Sequence, residues 1–145
     1  MGVPYEARTK TGNARGLDSR RMSAFADLAG IGPQDIWNGV VVRAVHGERI
    51  TLGVVELGPD AVVPEHSHEN EQLGIVLSGA VMFRVGDETR ELGPGGTWRI
   101  PANVPHEVTA GPQGAAVIDV FAPTRDDWSA FEPGPARPPL WPSRD

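Results

Sequence analysis

From Val40 onward the chain alternates between short, β-branched apolar runs and small clusters of turn residues. The runs are VVVRAVHG (40–47), RITLGVVELG (49–58), EQLGIVLSG (71–79), AVMFRVG (80–86), ETREL (88–92), TWRI (97–100), HEVTAG (106–111) and GAAVIDVFAP (114–123). HGE, GPD, SG, GD, GPGG and GPQG stand among their separators. Val, Ile and Thr fit a pleated, half-buried surface, whereas Gly, Pro and Asp end one. The pattern predicts an all-β chain, with many short strands joined by tight turns in an antiparallel sandwich or barrel. Strands do not alternate with helix-length patterns, which argues against an α/β fold.

The flanks differ in texture. Residues 1–39 are irregular, broken at Gly12, Gly16, Gly30, Gly32 and Pro33, and predict an arm that packs on the core or on a partner subunit. Within it RMSAFADLAG (21–30) suits either a strand or a short helix. The barrel is expected over 40–127. The remainder, 128–145, is too rich in proline for a sheet interior and predicts an extended tail.

Composition narrows the picture. A chain of 145 residues suits one domain, and 18 glycines with 14 prolines agree with short strands and tight turns. A net charge of −6 without a basic, aromatic-studded stretch makes nucleic acid and anionic membrane poor partners. The absence of cysteine excludes disulfides, thiolate ligands and a cysteine nucleophile. No apolar leader or membrane-length run occurs in the sequence, so a cytoplasmic protein is expected.

The chemistry concentrates in PEHSHENEQLGIVLSG (64–79). Alternate residues of a strand share a face, so His66 and His68 point the same way and, if the chain stays extended, so does Gln72. Glu71 then points the other way, unless a loop at 69–70 resets the parity. His106, after IPANVP, can sit opposite the pair once a barrel closes. Three imidazoles and an amide oxygen suit Zn, Fe, Ni or Cu better than Mg or Ca. All four groups are neutral, so a divalent ion among them keeps its full charge, which favours Lewis-acid work on a carbonyl over redox cycling. Two other features stand out. Asp119 is a carboxylate inside the apolar run AVIDVFAP, where a charge is costly unless paired or protonated. Leu73, Ile75 and Leu77 form a row on the face away from Gln72 that needs a cover, and a homodimer is the expected one. Trp98 is placed to line the cavity or pack the core.

Gly58 to Gly79, with His66, His68 and Gln72 between, resembles the first motif of the cupin superfamily, and GGTWRIPANVPHEV (95–108) resembles the second. Gln72 stands where Glu is commoner, and Asn103 where Gly is common. The resemblance covers roughly residues 40–127. It implies a jelly-roll barrel holding one divalent metal, Zn²⁺ foremost with Fe²⁺ or Ni²⁺ as alternatives, on His66, His68, Gln72 and His106. A glutamine ligand resembles two groups within the superfamily: the ring-opening cupins of sugar-acid breakdown and the cupin cyclases of aromatic polyketide (antibiotic) biosynthesis. The longer stretches 34–59 and 95–128 are most similar to the resistomycin-type polyketide cyclases. Asp119, Phe121 and Arg125, as D-x-F-x-x-x-R, resemble the non-metal catalytic set of the ring-opening group. By that likeness Asp119 is a general acid/base, Phe121 a pocket wall and Arg125 an anion or carbonyl anchor; Trp98 is a substrate-binding candidate from its own place between the turn and Pro101. The implied activity is aldol-type ring closure and dehydration of a poly-β-carbonyl chain. Sugar-acid ring opening, a dioxygenase reaction, or metal binding without turnover are the rivals.

Overall fold

In the computed structural model, which describes residues 23–143, one eight-stranded sheet folds over into two layers, and two long strands pass from one layer to the other. The elements in chain order are β1 (Gln34–Trp37), β2 (Val40–His46), β3 (Thr51–Leu57), β4 (Val62–His66), β5 (Glu71–Val85), β6 (Glu88–Leu92), β7 (Thr97–Ile100) and β8 (His106–Ala122). Short 3₁₀ turns cover Leu28–Gly30 and Asp126–Ala130. All strand pairs are antiparallel. The first part of β5 lies between β7 and the last part of β8, and β3, β2 and β1 continue that layer. The second part of β5 lies between β6 and the first part of β8, whose other edge takes β4. The result is the expected all-β sandwich. The expected arm lies outside the described residues as far as residue 22.

Two separators read as turns are bends within continuous strands. SG falls inside β5 and GPQG inside β8, and the β5–β8 register slips between Val76 and Ser78 and again between Gly79 and Val81. Gly79 and Gly114 meet at the bend with φ of +76° and +75°, a region open to glycine at little cost. A Cβ on Gly79 would stand 2.1 Å from the Gly114 carbonyl oxygen. Both strands therefore cross from one layer to the other at this corner.

Between the layers Val42, Val55, Val76, Val81, Val108 and Val117 pack as a single core. The outer face is covered at one place by the proline-rich tail. There Arg43, fully buried, pairs with Glu56, donates to the Arg137 carbonyl (3.0 Å), and the Leu140 N–H donates to Glu56 (2.9 Å). Gln34 Nε2 donates to the carbonyls of Trp128 (3.0 Å) and Phe131 (2.7 Å), and so ties the start of the tail to β1. Among the described residues no helix is long and apolar enough to cross a membrane.

Candidate metal centre

The register of β4 on β8 sets His66 directly opposite His106. The loop from β4 to β5 then brings in His68, and Asn103 N–H holds it by donating to the His68 carbonyl at 2.7 Å. Asn103 has φ +65°, the left-handed region where cupins commonly carry glycine and which asparagine also tolerates. Asn70 is buried and clamps the same loop through Nδ2, which donates to the Pro123 carbonyl at 2.6 Å. His66, His68 and His106 converge, each offering one nitrogen, and these atoms lie within 4.8 Å of one another.

Each imidazole is prepared in the same way. Nδ1 of His66, His68 and His106 faces the carbonyl of Pro64, Asn70 and Val104 respectively, at 2.9 Å in every case. A carbonyl only accepts, so Nδ1 carries the proton and Nε2 keeps its lone pair. Burial lowers all three pKa values, that of His106 to about 4; the Arg125 charge lowers each further, as does His68 for His66, and His66 with His68 for His106. Neutral, tautomerically fixed rings are what a metal requires of histidine.

Two details point to a cation between them. His106 Nε2 is buried without a hydrogen-bond partner, a costly state for a polar atom. His68 Nε2 lies 3.0 Å from Gln72 Oε1, while its Nδ1 already faces a carbonyl. A neutral imidazole has one N–H for those two oxygens. One contact is therefore acceptor against acceptor, and a cation seated beside both atoms relieves it. The residues fit a divalent metal on this evidence.

Gln72 is buried, whereas its neighbour Glu71 points to solvent as strand parity predicts. Its Nε2 donates to Asp119 Oδ1 at 2.8 Å, and Trp98 Nε1 donates to the same oxygen at 2.8 Å. Burial raises the Asp119 pKa to about 6, and those two hydrogen bonds hold it below where burial alone would put it. Arg125 grips Asp127 with two hydrogen bonds, Nε to Oδ1 at 3.0 Å and Nη2 to Oδ2 at 2.8 Å. Its guanidinium carbon lies 4.7 Å from the Phe121 ring centre and 4.6 Å from that of Trp128. The hydrogen bond from Arg125 lowers the Asp127 pKa.

His66, Gln72, Trp98, His106, Asp119, Phe121 and Arg125 all line one pocket. Its remaining wall is apolar, with Val40, Val55, Leu57, Val63, Val81 and Val108 among its aliphatic members. Three further aromatics, Trp37, Phe83 and Trp128, belong to it that the sequence did not single out for the site. Trp37 lies 5.0 Å from the His66 ring, and Trp128, packed edge-on against Phe121 at 5.2 Å, is buried. His46 lies outside this pocket, bonded through Nδ1 to Thr51 Oγ1 at 2.9 Å.

Comparison with known proteins agrees with the geometry. The profile described as Cupin domain matches residues 53–121. No curated protein sequence matches the chain. Among solved structures, KdgF from Halomonas sp. is 30% identical, with 73% of this chain and 98% of that one covered at a TM-score of 0.68. The polyketide cyclase RemF from Streptomyces resistomycificus is 26% identical over 70% of this chain and 80% of its own, with a TM-score of 0.62. An RmlC-like cupin from Shewanella frigidimarina, 22% identical over 74% of this chain and 96% of its own, shares the fold at a TM-score of 0.69. With its two-layered sheet, its three convergent histidines and these matches, the chain belongs to the cupin family.

Proposed function

We propose that this cupin is a metal-dependent polyketide cyclase, with His66, His68, Gln72 and His106 as the ligands of one divalent ion, Zn²⁺ before Fe²⁺ or Ni²⁺. The observation that carries the reading is the pocket's wall: a few polar groups, with aliphatic and aromatic side chains around the rest. Such a wall suits a chain of methylenes and carbonyls, whose hydroxyl-poor surface asks for few hydrogen bonds. A divalent ion held by neutral ligands supplies a Lewis acid that polarises a carbonyl and acidifies the CH₂ beside it.

The chain's own groups then divide the work. Asp119 is the carboxylate on the pocket wall, and Oδ1 is taken by Gln72 and Trp98, so Oδ2 is assigned to receive the CH₂ proton. The carbon that has lost its proton attacks a second carbonyl, forming the ring C–C bond. The new alkoxide takes up a proton, and loss of one water gives the unsaturated ring. Arg125, held by Asp127, anchors a second carbonyl oxygen, while Phe121 and Trp98 confine the chain so that the correct carbons meet.

Ring opening of a small sugar acid is the second reading, since Arg125 would serve equally as anchor for a carboxylate. The largely apolar wall leaves a polyhydroxylated substrate short of partners. Incubation of the metal-loaded protein with a thioester-linked poly-β-ketone and, separately, with an unsaturated uronic acid tests the choice. Mass spectrometry is expected to show loss of one water from the former, and the ultraviolet absorbance of the latter, whose ring opening is an isomerisation without change of mass, is expected to stay constant. The opposite pair of results would replace the cyclase with the ring-opening reading.

We assign the outer face of β3, β8 and β5, where Leu73 is 48% exposed and Leu52 36%, to a second copy of the chain. Sedimentation is expected to give twice the chain mass. A monomer mass that does not change with concentration would remove the assignment.

A further inference from the structure

The two ends of a glutamine amide are alike in shape and opposite in hydrogen-bonding sense, so an amide that serves as a ligand must be told which end to present. At this site the instruction comes from Asp119. Its Oδ1 accepts from Gln72 Nε2 and from Trp98 Nε1, each at 2.8 Å, and the amide oxygen is thereby turned toward His68 Nε2 at 3.0 Å. We infer that Asp119, whose Oδ2 is left for the proton, has through Oδ1 a second, positioning role: it fixes Gln72 as an oxygen ligand and favours glutamine over glutamate there. The inference rests on the metal reading above and deepens it.

A glutamate at 72 would bring an acceptor oxygen against Asp119 Oδ1 where the amide brings an N–H donor. An amide offers an acceptor on the metal side and a donor on the other without a shared proton. Trp98 completes the arrangement across the sheet. Gly74 pairs with Trp98 on one side and with Asp119 on the other. A Cβ on Gly74 would lie 2.3 Å from the indole, so the missing side chain is what lets Trp98 cross β5 and reach Asp119. The departure from the commoner cupin glutamate thus has a local cause in residues 74, 98 and 119.

The test is a double-mutant cycle read as Zn²⁺ affinity of the full chain, by competition with a chromophoric chelator and with circular dichroism to verify folding. Asp119→Leu is expected to weaken Zn²⁺ binding about 10–100-fold, the usual cost of losing an outer partner. In a Gln72→Ala background the same change is expected to shift affinity by less than about twofold, because the residue it acts through is gone. Asp119→Asn keeps a carbonyl oxygen for both donors, loses the charge, and is expected to stay within about threefold of the parent. Full affinity in Asp119→Leu, or an equal loss in the Gln72→Ala background, overturns the inference. A loss in Asp119→Asn as large as in Asp119→Leu also overturns it, since bulk charge would then explain the effect. Failure of the parent chain to bind Zn²⁺ defeats the metal reading itself and the inference with it.

Discussion

His106→Leu is expected to abolish metal binding and turnover while raising the stability of the metal-free protein. The two effects share one cause. His106 Nε2 is buried with no hydrogen-bond partner, so in the absence of a cation it costs about 1–3 kcal/mol. Leucine fills a similar space in a pocket lined mostly by apolar side chains, and removes that cost. With metal the order reverses. Loss of an outer partner alone weakens a site about 10–100-fold, so loss of a ligand is expected to weaken it by more than about 100-fold. Metal then stabilises the parent in proportion to the logarithm of its concentration and leaves His106→Leu unmoved. Thermal unfolding of both proteins, with chelator and with added Zn²⁺, reads all four values. A metal-dependent rise in the variant equal to the parent's would show that His106 is not a ligand.

The second large effect lies away from the site. Glu56→Ala is expected to cost about 3–5 kcal/mol, because it strands the Arg43 guanidinium in the protein interior. Arg43 is fully buried, and its Nε already lacks a partner. Without Glu56 its remaining contact is Nη2 with the Arg137 carbonyl, and the Leu140 N–H loses its acceptor in the same step. For a chain of this size the melting temperature should fall on the order of 10 °C. Arg43→Met combined with Glu56→Leu should cost far less than Glu56→Ala alone, since both charges leave together. Equal losses in the single and double variants would mean that the tail contacts, rather than the buried charge, dominate.

The legible and illegible parts of the molecule divide on physical grounds. Strand parity placed Gln72 inward and Glu71 outward, because both faces of β5 meet very different surroundings. The same rule brought His66 and His68 to one side, and the glycine–proline frame before His106 marked the strand that meets them. Patterning could not tell a turn from a bend: SG and GPQG have turn composition, yet Gly79 and Gly114 use it to pass β5 and β8 between layers. β1 escaped notice because QDIW is short and half polar, although Asn38-Gly39 after it is a strong hairpin signal. Trp37 was missed with it. β4 was obscured by Pro64 and by its polar end. The hydrogen bonds on Asp119 join residues 72, 98 and 119 across three strands, and only the register between those strands brings them together.

The central claim is that this pocket holds one catalytic divalent metal on three imidazoles and an amide. Elemental analysis of the purified protein, alongside an activity assay before and after chelation, tests it most directly. The expected result is about one divalent transition metal per chain, absent from His106→Leu, with turnover lost on chelation and restored by adding the metal back. Protein that is folded and fully active after complete removal of metal would contradict it.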